Sequence, residues 1–308
     1  MCGIAGIIPK KSGNIGQDLI NMLEALQHRG TDSAGVAVYE EPFSREDEYR
    51  LVAEVVDAPG SFGGLGNAIG EAGGDIRNIS FRPSPHGEKG INICTLRVPD
   101  EETLHQVIER INSSEVANVY SYGKSIQVVK DLGSVEDLEK GYRISRLSGT
   151  HGIGHVRFST ESGVDRKHAH PFHTDIFPDI AVVHNGQITN YYKIRGELER
   201  KGFSFSSDND SEVIVYFIVE QLQEGKDLEE ALQASVKELD GPFSYVVATS
   251  EGVGVARDKL GLRPMAFAQD ESGYFVASEE VALLDTCRSS EIEYFKPGEV
   301  RVFEHSKN

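Results

Sequence analysis

The N-terminal stretch MCGIAGII is a short apolar run with small residues, ended by Pro9, and predicts a buried strand. Ile15, Leu19, Leu23 and Leu26 then recur at helical spacing, with Gly30 as the expected stop. AGVAVYE (34–40) predicts a second strand, and EEPFSREDE marks a charged loop. The segment that follows has a pattern of its own. Strand-like LVAEVVD (51–57) leads to a small-residue helix over 60–74, then strands over 75–83 and 91–99. A helix over 101–113 carries Leu104, Val107, Ile108 and Ile111 on one face, and 115–123 closes the set as a strand. This β-α-β-β-α-β order in about 75 residues is the ferredoxin-like unit. The remainder predicts strands at 126–132, 152–159, 180–186, 243–250, 252–257, 264–269, 273–278 and 299–304, with amphipathic helices at 190–201, 211–223 and 228–239. Strands broken by blocks of helix, with many short turns, imply stacked sheets covered by helices, an α+β arrangement.

Composition narrows the function classes. The 308 residues are 39% apolar and 26% charged, which suits one large domain or two ordinary ones. A formal charge of −18 with no basic patch argues against nucleic acid and anionic lipid as partners. No window approaches the roughly 20 apolar residues of a membrane span, and no signal peptide is evident. Cys2, Cys94 and Cys287 are odd in number and far apart, which fits a reducing, cytoplasmic setting better than a disulfide framework.

Four places carry candidate chemistry. Cys2 becomes an N-terminal residue if Met1 is trimmed, and its own α-amine, with an ordinary pKa of about 7.7 to 8.0, can then serve as base for its thiol. Equally, it can be a small buried residue on a strand. HNGQITN (184–190) follows an apolar strand, so Asn185 and the Gly186 N–H can meet at one point as oxyanion donors, or form an ordinary turn. Arg157, at the end of GIGHVRFST, has a fork suited to a carboxylate, and Asp210 in SDNDSEV can hold an ammonium or simply cap a helix. A carboxylate clamp plus an ammonium clamp is what an α-amino acid requires. His168, His170 and His173 in HAHPFH are closely spaced but lack a matching metal-site pattern, so no metal is assigned.

Together MCGIAG, LQHRGTDSAGVAVY (26–39), GIGHVRFST, VVHNGQITNY and DSEV resemble, in identity and order, the class II glutamine amidotransferases. ARDKLGLRPMAFA (256–268), ASEEVALLD and KPGEV resemble members of the amidophosphoribosyltransferase and glutamate synthase types. The resemblance implies a four-layer αββα N-terminal-nucleophile hydrolase fold over 1–46 and 124–308. It implies Cys2 as nucleophile, Asn185 and Gly186 at the oxyanion, Arg157 and Thr160 with Asp210 on L-glutamine, and Arg29 positioning the N-terminal loop. Glu161 departs from the small or polar residue common after the RxxT motif. The second departure is the insertion, 49–123, whose VDAPGSFGGLGNAIGEAGGDI resembles the start of an ACT domain. That likeness implies an amino-acid effector at the Pro59–Gly60 turn, or a purely structural module.

With no synthase domain in the sequence, the resemblance implies a separate ammonia-accepting partner and no cofactor in this chain. The expected partner is the flavin-containing synthase subunit of a split glutamate synthase. An N-methylglutamate synthase-type complex is the alternative. A non-catalytic glutamine sensor and a metal-dependent hydrolase are rival readings from other classes.

Overall fold

The computed structural model describes residues 2–159, 163–174, 176–288 and 291–305. In chain order it builds β1 (Gly3–Pro9), β2 (Gly13–Asn14), α1 (Gly16–Ala25), β3 (Ser33–Tyr39), β4 (Glu48–Val56), α2 (Ser61–Glu71), β5 (Asp75–Pro83), β6 (Lys89–Arg97), α3 (Glu101–Asn112), β7 (Ala117–Gly123) and β8 (Ile126–Leu132). It continues with α4 (Val135–Tyr142), β9 (Ser148–Gly149), β10 (His151–Arg157), β11 (Ala181–Gly186), α5 (Tyr191–Arg200), α6 (Asp210–Gln223), α7 (Leu228–Glu238), β12 (Phe243–Thr249), β13 (Gly252–Arg257), β14 (Ala266–Gln269), β15 (Gly273–Ala277), α8 (Val281–Leu284), β16 (Glu293–Tyr294) and β17 (Val300–Glu304).

Two sheets form the centre. One is seven-stranded in the order β16-β14-β15-β1-β10-β3-β8, and the other four-stranded in the order β11-β12-β13-β17. Their inner faces share a core of Ile4, Ile8, Ile153, Val183, Val246, Val255 and neighbours. On the outer face of the first sheet, Leu19, Leu23, Leu138 and Leu283 bring α1, α4 and α8 into a second core. On the outer face of the second, Ile194, Ile218 and Leu232 do the same for α5, α6 and α7. The result is helix, sheet, sheet, helix. Helix α6 is buried on nearly every side from Ser211 to Gln221, which explains why its apolar residues circle the helix instead of forming a stripe.

Between β3 and β8, which pair with each other, the chain leaves the large sheet and builds a third one in the order β5-β6-β4-β7, antiparallel throughout. Helices α2 and α3 cover one face through Leu65, Ile69, Leu104 and Val107. The other face docks on the rest of the molecule, because Val52, Ile91 and Tyr120 join the core beneath α1 and α4. Strand β4 is therefore buried on both faces, with Arg50 and Glu54 beside Val52 on the docked one. Where the chain returns, the Asp179 carboxylate accepts the N–H groups of Lys124, Ser125 and Ile126, each at 2.8 Å. Among the described residues no helix is long and apolar enough to cross a membrane.

One expected end signal takes a different form. Gly30 does not stop α1, which ends at Ala25 before a 3₁₀ turn over Gln27–Arg29. Its φ of 174° is ordinary extended backbone. Glycine is required there because a Cβ would lie 2.2 Å from the Arg157 carbonyl carbon. Helix α4, by contrast, was not expected from the apolar pattern. Its stretch VEDLEKGY is short and mostly polar, and it is fixed by a capping box between Ser134 and Asp137.

Candidate active site

Strand β1 carries Cys2 into the middle of the large sheet, where Gly3 lies opposite Val156 on β10. Cys2 is half-buried, and its Sγ faces the Phe158 carbonyl at 3.8 Å. Arg29 Nε donates to the Cys2 carbonyl at 2.7 Å, and the same guanidinium forms an ion pair with Glu279 that His28 shares. The backbone beyond β10 is held by Asp32, which accepts the Ser159 N–H at 2.7 Å. Burial pushes the Cys2 thiol above its ordinary pKa, and the Arg157 and Arg29 cations act against this without overcoming it. The thiol is therefore protonated near neutral pH and needs a base to react.

Arg157 closes β10 and is only 3% exposed. Its Nη1 donates to the Gly163 carbonyl at 2.8 Å. Burial lowers its pKa, while Cys2, Asp32, Asp165 and Asp210 are all near enough to pull it the other way. Asn185 and Gly186 end β11, opposite Ser244 and Phe243. The Asn185 Nδ2 is buried with no hydrogen-bond partner among the described residues. Gly186 has φ 145°, and a Cβ there would lie 2.0 Å from the Pro242 carbonyl oxygen, so no larger residue fits.

Asp210 is not the cap of α6. Asn209 takes that position, accepting the Ser211 N–H at 2.9 Å. Asp210 instead accepts the Ile188 N–H at 2.8 Å, tying the helix to the loop after Asn185, and keeps a quarter of its side chain exposed. Behind these groups lies a buried polar cluster. His155 Nε2 donates to the His184 carbonyl across the two sheets at 3.0 Å, and its ring stacks on His170 at 3.9 Å. Ser211 Oγ lies 2.9 Å from both His170 Nε2 and His184 Nδ1. The strands bearing Arg157 and Asn185 and the helix bearing Asp210 are thus fastened to one another two or fewer residues from each group.

The HAHPFH histidines separate in space. His168 pairs with Asp165 and Asp208, whereas His170 belongs to the buried cluster. Among the described residues no group of three or more His, Cys, Asp or Glu side chains could hold a metal ion. Pro59 and Gly60 lie exposed at the start of α2, with Gly60 at φ 93°. Thr160 and Glu161 lie outside the described residues. Sequence reasoning passed over Asp32, Glu279 and Asp258, whose carboxylate accepts the Leu260 and Leu262 N–H groups at 2.9 Å and shapes the turn after β13. All three lie inside quoted motifs, but Asp32 and Glu279 find their partners far along the chain, at Ser159 and Arg29, while Asp258 acts on its own turn.

Burial holds the His155 pKa down at about 3 and that of His151 at about 4. The unfolded chain takes up protons on these imidazoles below about pH 6.5, and the folded chain does not. Stability that is complete above pH 6.5 is therefore expected to fall as the pH drops toward 4. Denaturant midpoints measured at pH 7.5 and 5 should show this loss, and equal midpoints would contradict it.

The family model for the glutamine amidotransferase domain matches residues 155–285, which include Arg157, Asn185, Gly186 and Asp210. The chain is 47% identical over 306 residues to a Methanothermobacter thermautotrophicus (strain Delta H) protein named for glutamine amidotransferase, covering 99% of this chain and 100% of the relative. It is 33% identical to the glutamine amidotransferase-like protein GlxB of Rhizobium meliloti, covering 100% of this chain and 99% of that one. The chain belongs to the class II glutamine amidotransferases. Within this family it also matches the amidophosphoribosyltransferase of Methanocaldococcus jannaschii, at 36% identity over 58% of this chain and 38% of the relative. Among solved structures, the glutamine phosphoribosylpyrophosphate amidotransferase of B. subtilis is similar with a TM-score of 0.63 at 19% identity, covering 100% of this chain and 50% of that one. That likeness supports the N-terminal-nucleophile hydrolase fold, and the amidotransferase chain spans half of that larger enzyme.

Proposed function

We propose that this amidotransferase is a glutamine-hydrolysing subunit that supplies ammonia to a separate synthase. Cys2 acts as its first residue once Met1 is removed, and its α-amine takes the thiol proton. The sulfur attacks the glutamine side-chain amide, and the oxyanion is received by Asn185 Nδ2 and the Gly186 N–H. The amine returns the proton to the leaving nitrogen. Ammonia departs, leaving a γ-glutamyl thioester that water cleaves to glutamate. Arg157 and Thr160 hold the substrate carboxylate and Asp210 its ammonium, while Arg29 fixes the backbone of Cys2.

The observation that carries this reading is the buried Asn185 amide with no partner among the described residues. A buried donor left without a partner costs about 1 to 3 kcal/mol, so such a group is one that awaits a ligand. The separate partner is supported by the two relatives matched over 100% and 99% of their own length, since neither leaves room for a fused synthase. The acceptor we assign is 2-oxoglutarate on a flavin-containing glutamate synthase subunit, with an N-methylglutamate synthase-type complex as the alternative. We assign residues 49–123 to an ACT-like module interrupting the amidotransferase segments 1–46 and 124–308. Its strand order and the left-handed Gly60 support an amino-acid effector at the Pro59–Gly60 turn.

The test is release of glutamate and ammonia from glutamine by the purified chain, alone and with the synthase subunit, followed by mass spectrometry after an electrophilic glutamine analogue. Turnover with the label on an N-terminal Cys2 supports the reading. A processed chain that binds glutamine but neither turns it over nor takes the label, with or without the partner, favours a sensor.

A further inference from the structure

The segment Gly163–His168 bonds one proposed substrate clamp and is anchored two residues from the other. At one end its Gly163 carbonyl accepts from Arg157 Nη1 at 2.8 Å. At the other, His168 Nε2 lies 2.7 Å from Asp208, two residues before Asp210. Midway along the segment, Arg166 is turned inward and buried. Its Nε and Nη2 fork onto Asp131 at 2.7 and 3.1 Å, and its Nη1 reaches Glu54 at 2.8 Å.

Glu54 comes from β4, in the sheet inserted between β3 and β8. Along that strand Leu51, Ala53 and Val55 face α2 and α3, whereas Arg50, Val52 and Glu54 face the rest of the molecule. Lys89 Nζ occupies the second Glu54 oxygen at 2.8 Å. Asp131 is likewise filled, by Tyr142 Oη at 2.6 Å and by Ser84 Oγ, also from the insertion, at 2.7 Å. Buried ions require this degree of pairing, and pairing of this kind fixes position more than it adds stability. The backbone that meets Arg157 is therefore held partly by an acid belonging to the inserted sheet.

We propose that Glu54 is a positioning residue for glutamine, acting through Arg166 on the Gly163–His168 segment and so on the two clamps. The proposal rests on the assignment of Arg157 and Asp210 to the substrate, and it gives the insertion a direct mechanical connection to the binding site.

Arg50 provides the control. It docks the same strand, donating to the Ser125 carbonyl at 2.9 Å and Glu40 at 2.7 Å, but neither partner belongs to the 163–168 segment. The experiment compares Glu54→Gln, Glu54→Asp and Arg50→Gln in the full chain, with its synthase partner where turnover requires one. Glu54→Gln should raise KM for glutamine about tenfold with kcat within about twofold, since ground-state positioning is lost and the reacting groups are untouched. Glu54→Asp should recover part of the KM, and Arg50→Gln should move neither constant. Amide exchange over 163–168 should quicken in Glu54→Gln and not in Arg50→Gln. Equal KM effects in the Gln variants, or a fall in kcat that tracks thermal destabilisation, would overturn the proposal in favour of plain docking. If Glu54→Gln does not fold, Glu54→Asp carries the comparison. A wild-type chain without glutaminase activity would defeat the functional reading instead. The exchange comparison still decides the role of Glu54, and unchanged exchange over 163–168 rejects it.

Discussion

Replacing Cys2 with alanine is expected to remove glutamine hydrolysis, with a loss in kcat on the order of 10⁶, the scale seen when a nucleophile of a covalent mechanism is deleted. Glutamine should still bind with a Kd within a few-fold of wild type, because the proposed clamps, Arg157 and Asp210, belong to β10 and α6 and keep their side chains in the variant. The structure explains why the thiol needs help. Its pKa is raised by burial, so near neutral pH it is overwhelmingly protonated. The neighbouring cations moderate this without reversing it. A group with that character is inert unless a base stands beside it, and on this reading the base is the amine of the same residue. Titration calorimetry with glutamine and a continuous glutamate assay check both halves. A Cys2→Ala variant that keeps hydrolysing glutamine would place the nucleophile elsewhere and end the proposed mechanism.

How much of this was legible beforehand depends on whether the signal is local. The β-α-β-β-α-β order between β3 and β8 reads directly from short apolar runs and from the Leu104, Val107, Ile108 and Ile111 stripe, because each element carries its own periodicity. The same is true of α5, α6 and α7. Helix α4 was missed because its stability comes from a cap and from tertiary contact more than from a long stripe. In the site, Cys2, Asn185, Gly186, Arg157 and Asp210 stood out as residue types in motifs. Their fastening did not. The His155 bond to the His184 carbonyl joins two sheets, the Arg29–Glu279 pair spans most of the chain, and Arg166 finds its partners on β8 and β4. Such pairs leave no periodic trace in the sequence. Asp210 shows the limit from the other side: an acid before an apolar helical run reads as a cap, and only the placement of Asn209 frees it for another task.

The second large effect is expected at Asn185. Changing it to alanine should lower kcat by about 10² to 10³ with little change in KM, the loss associated with one oxyanion donor. The split follows from timing. Charge develops on the amide oxygen only as sulfur adds, so the donor contributes in the transition state and little before it. The geometry makes this residue a cleaner test than its neighbour. Gly186 cannot take a Cβ without meeting the Pro242 carbonyl, so its replacement mixes catalysis with folding. The Asn185 Nδ2, in contrast, gives up no hydrogen bond to a described residue when it is removed. The melting temperature should therefore stay within roughly 5 °C of wild type, since about 1 kcal/mol corresponds to a few degrees for a chain of this size. Acylation of Cys2 by an electrophilic analogue should slow in parallel with kcat if Asn185 serves the first tetrahedral intermediate. A variant with unchanged kcat and a wild-type melting curve would show that the unpaired amide faces no developing charge, and the oxyanion donors would then have to be sought among other groups at the end of β11.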